Sequence, residues 1–353
     1  MSALILDAIE RRDMFSVFRS AFHATDLEVS QGWEKTKIAL LSNLANDARR
    51  DEVEECLQAC YQDNIRFAQK AISLWALPDE ATAGALASAL DEFIDSDSPY
   101  RVAYPLPLPH DVLASCRVLG VPTAVERDGT RSTIIFAGKR WVNEECELSP
   151  ENLTLEAQEE YSGLFEIRAK RRISYPVFDC FTIHPERRLV ELRIDKAKYE
   201  NEAEIIKIRT ALQEKFNRLA RAHCGIERAL GDPLNLYSAL LPLYKGEGWK
   251  VQCIEHANDG GYLNKNKGRH RSSDVREDDY HVAGEEAVPQ IHLHSLTACW
   301  DLGFGSPKLI LHGHSKILST HAPNIDYAKV LDCWDEGSYM TVLNSLIDSL
   351  SAS

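Results

Sequence analysis

The sequence lacks any long apolar run. Its apolar stretches, such as Leu106 to Leu108 and Leu309 to Leu311, fall far short of the roughly 20 residues that span a bilayer. Asp7 and Glu10 interrupt the N-terminal region where a secretory signal would need a continuous apolar segment. We therefore expect neither membrane association nor secretion.

The motifs of several common enzyme classes are also missing. There is no GxxxxGK[ST], no GxGxxG after a strand, no GxSxG, no HExxH and no protein-kinase signature. These absences argue against nucleotide-dependent enzymes and common hydrolases. They leave room for an active site of another design.

A disulfide framework is not indicated, although the chain contains nine cysteines. Their number is odd, they are scattered, and a chain of 353 residues can bury a sizeable core without covalent crosslinks. We interpret them as reduced thiols and expect a cytoplasmic protein. With 44% hydrophobic and 27% charged residues, the chain is typical of globular proteins, and its length favours two domains.

The apolar periodicity predicts an α+β protein, with an N-terminal helical bundle at 1–98 ahead of a mainly antiparallel sheet with packed helices. One helix is expected to extend through the residues of a single apolar face, which recur at spacings of three and four: Val53, Leu57, Tyr61, Ile65, Ala68, Ile72 and Trp75. A second long helix is predicted from about 200 to 223, ending at Gly225.

Three further regions complete the expected organisation. Four prolines predict an extended linker at 99–110, where we place a domain boundary. Residues 111–160 combine a short helix with a hairpin signal at Asp128-Gly129, a combination compatible with a winged helix. The rest, 161–353, is expected to form the sheet domain, with a long mobile loop at 257–289.

A hairpin is predicted around Pro185. Pairing Ile183 with Val190 and Phe181 with Leu192 places apolar residues opposite each other, as a half-buried sheet requires. In that register the carboxylates of the two strands point to different faces. The loose likeness of Pro176, Asp179, Glu191 and Arg193 to a nuclease pattern therefore predicts a structural hairpin instead of a metal centre.

The middle of the chain is basic although the net charge is −14. Residues 166–250 contain 17 basic and 12 acidic residues. Clustered lysine and arginine side chains suit a phosphate backbone, and Tyr175 and Phe178 would add stacking platforms. The predicted contact residues within 165–230 are Arg168, Lys170, Arg171, Arg172, Arg187, Arg188, Lys207, Arg218 and Arg221.

These residues lead to the first functional hypothesis, a non-catalytic binding or assembly protein that contacts nucleic acid or an acidic protein partner. A solvated basic face without a specific partner is the alternative interpretation. The strongly acidic segment 51–100 could meet the basic middle of another copy, so we also expect a homo-oligomer or a subunit of a larger complex.

The second hypothesis starts from histidine. Eight of the twelve histidines lie between 256 and 321. His292 with His294, and His312 with His314, each place two imidazoles on one face of a predicted strand. Solvated histidines without a cofactor are the simpler interpretation. If the strands are neighbours, the four side chains could bind zinc or another divalent metal, as in a metal-dependent hydrolase or nuclease.

Overall fold

The computed structural model describes residues 2–46, 48–116, 120–164, 166–196, 201–288 and 290–352. Its centre is one antiparallel sheet of ten strands. The strands are β1 (Lys70–Ala76), β2 (Val121–Arg127), β3 (Ser132–Glu147), β4 (Arg168–His184), β5 (Leu189–Asp195), β6 (Lys250–Asn258), β7 (Leu263–Lys267), β8 (Ile291–Cys299), β9 (Lys308–His312) and β10 (Ala328–Leu331). Their order is β2-β3-β4-β5-β1-β10-β9-β8-β6-β7.

Helices precede the sheet and cover both of its faces, which confirms the predicted α+β class. Within the described ranges they are α1 (Ser2–Arg12), α2 (Phe15–Ala24), α3 (Trp33–Leu44), α4 (Arg50–Phe67), α5 (Glu80–Ala89), α6 (Pro99–Ala103), α7 (His110–Ser115), α8 (Leu155–Glu160), α9 (Glu202–Cys224), α10 (Leu240–Lys245), α11 (Asp279–Ala287) and α12 (Glu336–Ser351). The first three helices each contact α4. As predicted, α9 ends at Gly225, which adopts a left-handed conformation with a φ of 67°.

The predicted long helix from Val53 to Trp75 is wrong beyond Phe67. Helix α4 ends at Phe67, and β1 begins at Lys70 after a left-handed turn at Gln69. Strand β1 lies in the middle of the sheet between β5 and β10, and both of its faces are buried because helices pack against each of them. A strand buried on both faces has no polar alternation, so its apolar spacing was compatible with a helix.

Because of β1, the chain before residue 98 contributes the central strand of the sheet as well as a helical layer. On one face, Ile72 and Leu74 pack with α10 and α12. On the other face, Ala71 and Trp75 pack with α5 and α9. Helices α1 to α4 also form one hydrophobic core with Ile135 of β3 and Phe178 of β4, so the N-terminal helices and the sheet share their cores.

The predicted hairpin around Pro185 is confirmed in its register. Ile183 lies opposite Val190, and Phe181 lies opposite Leu192. All four side chains are buried in the core beneath α9. Matching apolar residues across the two strands was therefore sufficient to place them.

Three other regions of the chain differ from expectation. Helix α6 begins at Pro99, where a missing N–H breaks no helical bond, so 99–110 is not extended throughout. The Asp128-Gly129 hairpin exists, but β3 also pairs with β4 and makes the hairpin the edge of the large sheet. Within 257–289, the expected loop contains β7 and α11.

Candidate functional site

The basic residues at the start of β4 lie beside an acidic stretch of β3. In the register of the two strands, Lys170 is opposite Glu145 and Arg168 is opposite Glu147. The Lys170 Nζ lies 2.9 Å from a Glu145 carboxylate oxygen, and Arg168 pairs with Glu166. Sheet pairing thus neutralises part of the basic run that the linear sequence displays.

The neighbouring residues of this run have other surroundings. Arg171 lies opposite Glu144 in the register, and the guanidinium of Arg172 lies 5.0 Å from the centre of the half-exposed Trp141 ring. The two expected stacking platforms are buried. Tyr175 donates a hydrogen bond to the Arg12 carbonyl, and Phe178 belongs to the hydrophobic core.

Arg187 and Arg188 lie at the opposite end of β4, in the turn that leads to β5. At a rise of about 3.3 Å per residue, the strand separates Arg172 from this turn by roughly 40 Å. Arg187 donates a hydrogen bond to the Asn344 side chain at 2.9 Å. The two arginine pairs therefore do not form one continuous surface.

The remaining three cations project from α9. Lys207 and Arg218 are exposed, and Arg221 pairs with Glu227 at 3.0 Å. Eleven residues of helix separate Lys207 from Arg218, a rise of about 17 Å. The structure thus distributes the nine predicted contact residues over both ends of β4 and along α9.

Two of the four predicted histidines do come together. One donor atom from each of His312, His314 and Glu202 lies within 4.8 Å of the other two. In the part of the chain that the structure describes, no other group of three histidine, cysteine or acidic side chains meets this condition. His292 is excluded, because its Nε2 faces Asp259 Oδ1 at 3.2 Å.

The geometry of this triad directs both imidazoles at one carboxylate. The His312 Nε2 lies 3.7 Å from Glu202 Oε1, and the His314 Nε2 lies 3.3 Å from Glu202 Oε2. The His312 Nδ1 lies 3.2 Å from Ser295 Oγ. If Nδ1 carries the proton and donates it to Ser295, the lone pair of Nε2 faces the carboxylate, as a metal ligand requires.

Gly313 allows His312 and His314 to lie beside β8. A Cβ at this position would collide with Ile317 Cδ1 and lie 2.8 Å from the His294 carbonyl oxygen. The Gly313 N–H donates to that same carbonyl at 2.9 Å, and the Gly313 carbonyl lies 2.8 Å from His294 Nδ1. His294 therefore helps to hold the backbone between the two histidines.

A cavity of about 230 Å³ adjoins the triad. Its walls include His294, His312 and His314, together with Glu255 and Lys265 from the neighbouring strands. A hydrogen bond from Lys265 lowers the pKa of Glu255, so that this carboxyl is ionised at neutral pH. Two histidines of the triad therefore adjoin a space that also contains one carboxylate and one ammonium group.

Burial lowers the pKa of His312, although the charges of Glu202 and Glu255 oppose the effect. The side chain is therefore neutral at pH 7, the form that binds metals. Lys329 Nζ also lies 3.8 Å from Glu202 Oε1. A metal ion would compete with this ammonium group for the carboxylate.

Glu202 was not identified from the sequence. It lies in the first turn of α9, where acidic residues are common because they favour the positive end of the helix dipole. Only the approach of this helix end to β9 gives the carboxylate two imidazole neighbours. No spacing along the chain could have indicated that contact.

The carboxylates of the β4–β5 hairpin do not converge, as the predicted register implied. Asp179 accepts a hydrogen bond from Arg140 at 2.6 Å, whereas Glu191 lies 3.0 Å from His184 Nε2. Each is buried with its own cationic or imidazole partner. They therefore do not form a metal centre of the nuclease type.

Comparisons of the chain with protein-family models and with curated proteins find no match. Among the described residues, no helix combines the length and the apolar character needed to cross a membrane.

Proposed function

We propose that this protein is a metal-dependent hydrolase whose divalent ion, zinc in the first instance, is bound by Glu202, His312 and His314. The observation that carries the proposal is the convergence of their three donor atoms within 4.8 Å of one another. Two imidazoles and one carboxylate form a common ligand set for catalytic zinc and for other transition metals.

The ligand number supports catalysis better than a purely structural role. Structural zinc sites usually have four protein ligands, whereas catalytic sites use three and keep a position for water or substrate. Here the adjoining cavity provides room for that position. A divalent ion would lower the pKa of its water from 15.7 to about 7 and supply hydroxide at neutral pH.

Glu255 and Lys265 suggest how the cavity would assist hydrolysis. Glu255 is ionised and could accept a proton from the attacking water. Lys265 lies 2.5 Å from this carboxylate and would place positive charge beside an anionic substrate or a developing oxyanion. This arrangement favours hydrolysis of an ester or a phosphoester.

The nucleic-acid hypothesis receives less support from the geometry. Its predicted residues lie at opposite ends of β4 and on α9, and several are paired with carboxylates. It makes a distinct prediction: metal-free binding that weakens steeply with salt. Neutralising Arg171 with Arg172, or Arg187 with Arg188, would then identify which end of β4 makes contact.

Zinc titration of the metal-stripped protein provides the direct test of the metal centre. We expect about one equivalent to bind to the wild type, and Glu202→Gln, His312→Ala and His314→Ala each to weaken binding at least tenfold. His292→Ala is the matched control, because this strand histidine lies outside the triad. Unchanged zinc affinity in all three triad variants would reject the site.

Hydrolysis is tested separately with bis(p-nitrophenyl) phosphate and p-nitrophenyl acetate as generic substrates. We expect turnover that requires the metal and is lost in His314→Ala but retained in His292→Ala. Glu255→Gln should reduce kcat with little change in zinc affinity. Zinc binding without metal-dependent turnover of either substrate would leave a metal-binding protein and contradict the hydrolase.

A further inference from the structure

A second cavity lies beside α2, where the loop that joins β8 to β9 approaches this helix. Its volume is about 410 Å³, which is within the usual range for small-molecule sites. Four separate parts of the chain line it: α2, Arg271 from the segment between β7 and α11, residues 304–306 of the β8–β9 loop, and Asp332 after β10. The cavity therefore lies at the opposite end of β9 from His312 and the metal triad.

The polar side of α2 borders this cavity. Four residues at positions i, i+3, i+4 and i+7 share one face of the helix and line the cavity: Ser16, Arg19, Ser20 and His23. A Cβ at Gly305 would lie 3.0 Å from Ser20 Oγ, so this face of α2 directly approaches the β8–β9 loop. The side chain of Arg19 is exposed on the same face and is accessible to a ligand.

Arg271 brings a second guanidinium group to the cavity. Its backbone is held beside β6, because its carbonyl accepts a hydrogen bond from Gln252 Nε2 at 2.8 Å. Burial raises the pKa of Cys299, whereas the charges of Lys308 and Arg271 lower it. The Cys299 Sγ lies 3.8 Å from the carbonyl oxygen of Ser306, which lines the cavity. The exposed Arg271 therefore acts electrostatically on this part of the β8–β9 loop.

The two arginines lack counter-charges. Among the described residues, the guanidinium groups of Arg19 and Arg271 form no ion pair and no hydrogen bond. In the same part of the chain, Asp332 is the acidic residue of the lining, and both of its oxygens have partners. Its Oδ1 accepts from Gln69 Nε2 at 2.8 Å, and its Oδ2 accepts from Lys308 Nζ at 3.1 Å. The cavity therefore has an excess of positive charge, although the net charge of the chain is −14.

Two phenylalanines add aromatic surface to the lining. Phe304 is 54% exposed in a tight turn, where its N–H donates to the Leu302 carbonyl at 3.0 Å and Gly303 adopts a φ of 83°. The ring of Phe15 packs edge-on against Trp33, with 6.2 Å between the ring centres. An exposed ring beside two guanidinium groups suits a ligand that carries an anionic group on a planar apolar body.

We propose that this cavity binds a small aromatic phosphomonoester, with its phosphate between Arg19 and Arg271 and its ring on Phe304. A phosphomonoester carries a charge of about −1.5 to −2 at pH 7, which matches two cations. Planar guanidinium groups bind phosphate oxygens through paired hydrogen bonds. The hydroxyl groups of Ser16 and Ser306 would donate to the remaining oxygens. This site does not depend on the metal centre or on hydrolysis.

The test is calorimetric titration of the metal-stripped protein at about 0.15 M salt, which screens weak surface attraction. We expect phenyl phosphate to bind with a Kd of about 1 mM or tighter. Inorganic phosphate, which has no ring, and benzoate, which has a single charge, should each bind more weakly. Arg19→Met and Arg271→Met keep an apolar stem without the charge, and each should weaken the binding of phenyl phosphate about tenfold. Arg269→Met is the matched control, because this exposed arginine of the same segment does not line the cavity.

Two further variants exclude a purely structural effect. Phe304→Ala should weaken the binding of phenyl phosphate about threefold and leave the affinity for inorganic phosphate unchanged. His314→Ala, which disrupts the metal triad, should retain phenyl phosphate binding, so the two sites are tested separately. The proposal is overturned by an absence of phenyl phosphate binding at about 10 mM, by wild-type affinity in folded Arg19→Met and Arg271→Met variants, or by an equal loss in Arg269→Met.

Discussion

Arg12 donates two hydrogen bonds to the carboxylate of Asp195, at 2.6 and 2.8 Å, although 183 positions separate the two residues in the chain. Lys70 donates to the same carboxylate at 2.9 Å, and the Phe178 N–H donates at 3.0 Å. The pair joins the end of α1 to β5. It links the helical layer to the sheet through charge as well as through apolar packing.

The Arg12–Asp195 pair predicts a strong stability effect. The Asp195→Asn variant keeps the side-chain shape but leaves Arg12 and Lys70 buried without their counter-charge. We expect it to lower the free energy of unfolding by about 3–5 kcal/mol, measured by urea denaturation. The exposed Asp232→Asn is the control and should change stability by less than about 0.5 kcal/mol. Equal effects of the two changes would contradict this account.

Glu191 predicts an acid-dependent loss of stability. Burial would raise its pKa, but Arg193 and His184 outweigh burial and lower the pKa to about 2. Its stabilising contribution is therefore present above the ordinary pKa of 4.5 and is lost as the pH falls from 4.5 towards 2. Tyr339 also donates to this carboxylate.

We therefore expect Tyr339→Phe to raise the pKa of Glu191 and to move the acid-unfolding midpoint to higher pH. The loss of stability at pH 7 should be about 1–2 kcal/mol. Circular dichroism across an acid titration provides the measurement. Tyr237→Phe is the control, since the hydrogen bond of Tyr237 to Asn235 uses its backbone N–H. An unchanged midpoint in Tyr339→Phe would argue against the coupling.

Asp63 predicts a loss of stability as the pH rises, whereas Glu191 predicts a loss as the pH falls. Burial is the main reason that its pKa is raised to about 6. The charges of Asp335 and Glu336 also raise this pKa, whereas the charge of Arg66 lowers it. The folded state therefore holds this proton more tightly than the unfolded state, and ionised Asp63 destabilises the protein above pH 6. This penalty fades as the pH falls from 6 to the ordinary value of 3.8.

The Asp63→Asn variant should accordingly be more stable than the wild type at pH 8, by roughly 1–3 kcal/mol. The difference should shrink progressively between pH 6 and pH 4. Urea denaturation at several pH values measures this trend. A stability difference that is independent of pH would show that the pKa of Asp63 is not the cause.

Gly313 predicts a link between backbone packing and metal affinity. Gly313→Ala would place a Cβ 2.8 Å from the His294 carbonyl, so the backbone between His312 and His314 must shift. We expect a loss of about 1–3 kcal/mol in stability and a weaker zinc affinity. Gly84→Ala in α5 meets no atom within 4 Å and should stabilise by about 0.5–1 kcal/mol. If Gly313→Ala bound zinc with the affinity of the wild type, the packing at Gly313 would not affect the metal centre.

Local patterns predicted the parts of the fold that depend on neighbouring residues. The apolar period of α9 and its terminal Gly225 define that helix, and apolar matching placed Ile183 opposite Val190. The interior strand β1 was mistaken for helix, because a segment buried on both faces shows no alternation. Its environment is created by β5 and β10 at its edges and by α9 and α12 on its two faces, all of which lie far away in the sequence.

The sites depended even more on long-range contacts. The sequence indicated His312 and His314 by their spacing on a strand, but Glu202 joins them only where the start of α9 meets β9. The basic run on β4 suggested a cationic surface, yet the register with β3 places glutamates opposite it. Charge along a chain therefore does not describe the charge of the folded surface.

By itself, the sequence determined the α+β class, the α9 helix and the register of the β4–β5 hairpin, because periodicity and turn residues act over a few positions. The tertiary structure decided which charges lie together: Asp195 with Arg12, and Glu202 with two histidines. Such contacts depend on how separate helices and strands pack, and electrostatic interactions act through space between residues that are distant in the chain.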